Sequence, residues 1–247
     1  MINNLTNEHD KLSILGSLYD STTIDTEENQ KFPIKIIESI VTNSNNLIYN
    51  SLSEHSRYDL YIYYISKNYY YSQLYDKSLT AVEEALKIYP NKTNDLGIKG
   101  SILYIMERYQ ESLQCYDEIT TKLDPKYVLA WYNKGHTLVL LSRYSEAIHC
   151  YYEIITKLDP KHIDALNNKG GTLDRLGQKE EAIACYDKAL KIEPNNIQIM
   201  NNKGYVLINL GKYEQAVEYF NKVLSIDPDY INALENRKIA EEKLRLQ

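Results

Sequence analysis

Phenylalanine occurs twice and tryptophan once in this chain of 247 residues, so its aromatic content rests on 24 tyrosines. Cysteine is equally scarce, and three residues, an odd number, do not suit a disulfide framework. No apolar run approaches the roughly 20 residues needed to span a bilayer. The start, Met1-Ile2-Asn3-Asn4-Leu5-Thr6, has neither the basic end nor the apolar core of a signal peptide. An excess of positive charge is also missing. The net charge is −6 and the pI about 5.5, which argues against a surface built for nucleic-acid phosphates or anionic lipid. These absences predict a cytoplasmic protein without a nucleic-acid or membrane partner. Hydrophobic residues at 43% and charged residues at 25% are those of a folded chain.

The few prolines and glycines are placed at intervals. Pro90, Pro125, Pro160, Pro194 and Pro228 lie 35, 35, 34 and 34 residues apart, and Gly100, Gly135, Gly170 and Gly204 lie 35, 35 and 34 apart. Two independent markers holding one register define a repeat. Within 197–230, a first segment carries Met200, Leu207 and Leu210, and Gly211 ends it by taking the left-handed conformation. A second segment carries Ala216, Val217, Phe220, Val223 and Leu224, the i, i+1, i+4, i+7, i+8 stripe of a helix. Asp227-Pro228 stops it, because proline cannot continue a helix and disfavours helix in the residue before it. So short a hairpin cannot bury its own stripe and must stack on neighbours.

These units resemble the tetratricopeptide repeat family. The bulky first-helix position holds Ile62, Leu96, Trp131, Leu166 and Met200; the close-packing position holds Ser66, Gly100, Gly135, Gly170 and Gly204. The late aromatic of the second helix is Val82, Tyr116, Tyr151, Tyr186 and Phe220, so the first unit departs most from the pattern. The resemblance implies an all-α fold, a right-handed α-α superhelical solenoid of five hairpins (59–92, 93–127, 128–162, 163–196 and 197–230) with a C-terminal capping helix at 231–247. Ile231, Leu234, Ile239 and Leu244 give that helix an apolar side. Residues 1–58 match no repeat and read as an N-terminal arm, polar over 20–31, with a short capping helix opening at Pro33. Two units carry one extra residue late in the second helix, in the near copies at 118–125 and 153–160, which should lengthen that turn or add a single wide one.

In this family the first helices line an inner groove. The resemblance places Asn133, Asn168, Asn202 and Asn236, spaced 35, 34 and 34 residues apart, at one recurring groove position. That row resembles the asparagine ladder of the tetratricopeptide superhelix in O-linked N-acetylglucosamine transferase, which holds the main chain of an extended peptide. A carboxamide offers an acceptor and two donors, enough for both groups of a peptide unit, at about 0.5–1.5 kcal/mol per bond. Tyr63, Tyr70, Tyr104 and Tyr132 would make the other half of the groove aromatic, and tyrosine is a good interface anchor. The carboxylate clamp of the chaperone-binding members is absent: its expected positions hold Tyr63, Lys67, Gly97, Ser101, Leu129 and Asn133.

Other constellations are structural. Cys115, Cys150 and Cys185 occupy one repeated second-helix position, too far apart in stacked hairpins for disulfides, and read as small buried hydrophobes. The five histidines show no metal-ligand spacing, and no cofactor motif or catalytic triad is present. Lys99, Lys134, Lys169 and Lys203 precede the repeated glycines and read as packed stems with exposed ammonium groups. The sequence therefore describes a non-enzymatic scaffold or adaptor binding a protein or peptide partner in its concave groove. The alternative is a regulatory module of a separate enzyme, with the N-terminal arm occupying that groove.

Overall fold

The computed structural model describes residues 73–246, and all regular structure among them is helical. The chain divides into two compact units at Pro125/Lys126. Ile62, Tyr63, Ser66, Tyr70 and the arm over 1–58 lie outside the described residues.

In the first unit α1 (Tyr75–Ile88) packs on α2 (Thr93–Ile105), and α2 on α3 (Tyr109–Glu118), which continues as a π turn, Ile119–Leu123. Val82, Ala85, Ile102, Tyr116 and Ile119 form its buried centre. Ser112 stands at the small second-helix position, and its hydroxyl donates to the Gly100 carbonyl at 2.8 Å, satisfying a polar group that is wholly buried.

The second unit repeats the hairpin three times and adds one helix. α4 (Val128–Leu140) pairs with α5 (Tyr144–Glu153) and its π turn, Ile154–Leu158; α6 (Ile163–Arg175) pairs with α7 (Lys179–Ile192); α8 (Ile197–Asn209) pairs with α9 (Tyr213–Ile226); α10 (Ile231–Arg245) closes the order. Every second helix also packs on the next first helix. Continuous cores result: one joins Leu166, Tyr186, Ala189 and Ile199, and the next joins Met200, Phe220, Val223 and Ala233. First helices touch the first helices beside them, whereas second helices do not approach one another as closely. The first-helix side is thus the shorter, inner side of this unit.

Each hairpin turn uses the same backbone device. Gly177 and Gly211 have φ of +80° and +72°, and Glu107 and Ser142 take +59° and +58° at the equivalent positions. After α8, the Lys212 N–H donates to the Leu207 carbonyl and the Gly211 N–H to Ile208, both at 2.9 Å, the paired bonds of a Schellman ending.

The extra residue of the two longer units forms the wide turn that the sequence allows. The Asp124 N–H donates to Ile119 and the Asp159 N–H to Ile154, five residues back, where Glu193 and Asp227 reach only four back to Ala189 and Val223. Ile119, Ile154, Ala189 and Val223 are all fully buried, so the insertion is absorbed outside the core position. The apolar side expected for α10 is corrected. Ala233 and Ala240 face the core, while Ile231, Leu234 and Ile239 are exposed. Ile197 and Met200, the α8 counterparts of Ile231 and Leu234, pack into a core with the second helix of their own hairpin, and none of the described residues supplies such a helix after α10.

Candidate functional site

The inner side of the second unit is built by residues about one turn apart on the first helices. On α4, Leu129, Asn133, His136 and Leu140 follow i, i+4, i+7, i+11 and so share one face. Leu129 is 54% exposed there. On α8, Asn202 and Tyr205 share the corresponding face, and Tyr205 is 48% exposed. Asn133, Asn168, Asn202 and Asn236 are each partly buried.

Three of these four asparagines are tied to the hairpin before them. The Asn168 Nδ2 donates to the Tyr132 hydroxyl at 3.0 Å, the Asn202 Nδ2 to Asn167 Oδ1 at 3.0 Å, and the Asn236 Nδ2 to Asn201 Oδ1 at 3.3 Å. A second row, Tyr132, Asn167 and Asn201, thus braces the first from one residue before each rung. Each bond uses one of the two amide protons. The carbonyl oxygen and the other N–H of each braced rung stay available, one acceptor and one donor held in a fixed orientation.

Helix packing sets the azimuth of these side chains. Thr137 and Thr172, four residues past Asn133 and Asn168, are buried and donate to the backbone carbonyls of those asparagines at 2.8 and 2.7 Å, so their hydroxyls are satisfied within the helix. His162 caps α6 by accepting the Ala165 N–H at 3.2 Å. Its ring stacks on Tyr132 with centroids 5.5 Å apart, and His136 stacks near the same ring at 6.5 Å. Burial, and next the charge of Asp164, raise the Tyr132 phenol above its ordinary pKa, so it is a neutral hydrogen-bonding partner for Asn168. Tyr104, in the first unit, packs edge-on against Tyr109 with centroids 5.6 Å apart. Tyr63 and Tyr70 lie outside the described residues.

The lysines beside the rungs correct the expected pattern of exposed ammonium groups. Lys203 is only 7% exposed; its ammonium bonds the Asp187 carboxylate and donates to the Tyr219 hydroxyl at 2.6 Å. Those bonds raise its pKa despite an opposing burial, the largest single influence. Lys134 and Lys169 lie over the rings of Trp131 and Tyr152, 5.1 and 5.2 Å from the centroids, and Lys99 pairs with Glu83 at 2.9 Å. The three cysteines are buried, and none forms a disulfide. Burial pushes the Cys115 thiol up to about 11 and raises that of Cys185.

Among the described residues no group of histidine, cysteine and carboxylate side chains could hold a metal ion, and no helix is long and apolar enough to cross a membrane.

Helix hairpins stacked at a 34–35-residue period, each closed by a glycine against an aromatic ring, define a class of interaction solenoid. Family models of the tetratricopeptide repeat match residues 99–163, 163–196 and 197–230, and the chain belongs to that family. It is a protein–protein interaction scaffold. No curated protein matches it in sequence. Among solved structures it is similar to MamA from Desulfovibrio magneticus RS-1, at 22% identity and a TM-score of 0.65, over 70% of this chain and 97% of that one. A second MamA structure aligns at 23% identity and 0.63, covering 69% and 92%. YrrB, described as a TPR protein with an unusual peptide-binding site, aligns at 18% identity and 0.62, covering 75% and 92%. At these identities the likeness concerns the fold.

Proposed function

We propose that the inner side of the second unit grips the main chain of an extended peptide from a protein partner, with Asn133, Asn168, Asn202 and Asn236 as the rungs. The observation that carries this reading is the bracing of Asn168, Asn202 and Asn236 by Tyr132, Asn167 and Asn201. A polar residue serving only solubility has no need of a fixed rotamer. A rung that pairs with a peptide unit does, because side-chain ordering is then completed before binding. Leu129 and Tyr205, exposed beside the rungs, are the apolar contacts that add affinity and sequence preference. Tyr132 supports a rung, since its hydroxyl already accepts from Asn168.

Affinity capture from the source lysate with wild type and with Asn133→Ala/Asn168→Ala/Asn202→Ala, identified by mass spectrometry, tests the reading. The variant is first shown to be folded by circular dichroism. Three lost rungs at about 0.5–1.5 kcal/mol each cost at least about tenfold in affinity. A peptide from the captured partner, N-methylated along its backbone, should lose binding in the same way. Equal retention by both proteins overturns the proposal.

A further inference from the structure

A recess lies against the face of α6 that carries Leu166 and Lys169, not the rung Asn168, and its charge is unlike the net charge of the protein. It is a cleft of about 370 Å³ between α5 with its π turn and the end of α7, floored by α6. Ile155, Leu166 and Ile192 give it apolar walls, and Lys161, Lys169, Lys188 and Lys191 stand around it. None of the four lysines forms an ion pair among the described residues. Asp159, the carboxylate next along the chain, turns to the Lys161 backbone N–H at 3.1 Å. Four uncompensated cations at one opening, in a chain of net charge −6, need an explanation.

The next hairpin supplies the comparison. Lys203 stands 34 residues after Lys169, and its charge is taken by Asp187. Asp187 stands 35 residues after Tyr152, which is therefore the residue found where the counter-ion should be. Lys169 lies over the Tyr152 ring instead, with its charge unneutralised. The wide turn contributes as well, because Ile155 and Thr156 of the π segment form part of the wall.

We infer that this cleft is a docking site for an acidic peptide segment of a protein partner, in which a bulky apolar side chain enters between Ile155, Leu166 and Ile192 while flanking carboxylates pair with the lysines. A bare polyphosphate would satisfy the cations and leave the apolar walls uncovered. A segment combining both chemistries covers both. The site is independent of the rungs, so one protein can hold two partners, or two parts of one.

The test uses the full chain and a fluorescein-labelled pentapeptide with leucine between two pairs of glutamates, titrated by fluorescence polarisation at low ionic strength. Lys188→Glu/Lys191→Glu should weaken binding about tenfold or more, while Lys238→Glu/Lys243→Glu, the same charge change on α10, stays within about twofold. Replacing the peptide's leucine by serine should cost about tenfold. Tyr152→Asp installs the counter-ion of the next hairpin, so it should weaken binding severalfold by pairing with Lys169. Asn168→Ala should leave this binding unchanged. The proposal is overturned if the α10 control loses as much as the cleft variant, if the serine peptide binds equally well, or if Tyr152→Asp binds like wild type.

Discussion

The backbone of Gly170 lies so close to Tyr186 that a methyl group on its Cα would sit 2.8 Å from the ring carbons Cε1 and Cζ. The same closeness joins Gly100 to Tyr116, Gly135 to Tyr151 and Gly204 to Phe220, so the repeated glycine and the repeated aromatic are two halves of one contact. Tyr186 is buried and has nowhere to retreat. Gly170→Ala should therefore cost about 1–3 kcal/mol by overpacking. Gly171, its neighbour, meets only the Tyr186 hydroxyl, at 3.6 Å. Gly171→Ala should instead stabilise by about 0.5–1 kcal/mol, through the helix propensity glycine lacks. Urea denaturation of the two variants checks the opposite signs.

The hairpin turns predict a second pair. Ser142 occupies a left-handed conformation that costs an L-residue about 1–2 kcal/mol, partly offset by the greater entropy glycine loses on folding. Ser142→Gly should raise stability by about 0.5–1 kcal/mol, and Gly211→Ala should lower it by a similar amount. With about 2–4 °C per kcal/mol for a chain of this size, calorimetry resolves both.

Deleting Thr156 should convert the π turn into the four-residue ending seen at Ala189–Glu193, because the buried Ile154 keeps its place. The expected change in melting temperature is within a few degrees, about 1 kcal/mol. A collapse in helical content by circular dichroism would show that the turn is needed for the fold.

The raised thiols predict chemistry. Thiolate is the reactive form, and burial disfavours it at Cys115 and Cys185. Iodoacetamide at pH 8 should label native protein slowly and label all three cysteines quickly in urea, as counted by mass spectrometry.

Much of this fold is legible in the sequence because its determinants are local and repeated. Proline, glycine and an aromatic at fixed offsets specify a hairpin, and stacking follows from the stripe that a hairpin cannot bury. The extra residue before Pro125 and Pro160 announces the wide turn. The left-handed Glu107 and Ser142 are harder to see, because their side chains carry no turn signature; only their register with Gly177 and Gly211 gives them away. The bracing row is not read from the sequence: the pairs Asn167-Asn168 and Asn201-Asn202 are its only trace, and contacts between hairpins, not the pairs themselves, show that the first asparagine of each pair braces the next rung. The fate of Lys203 was hidden for another reason. Its partners Asp187 and Tyr219 are each 16 residues away, on two different helices, and only stacking brings both to one ammonium group.

An insertion within a helix ordinarily rotates everything after it by about 100°, turning buried side chains to solvent. The π turn at Ile154–Leu158 confines that phase error to five residues, and the proline-marked loop that follows starts the next hairpin of the second unit in phase. The array therefore tolerates a change of repeat length without a compensating deletion. Because the segments at 118–125 and 153–160 read almost identically, such a change needs to arise only once and can then be copied with its hairpin.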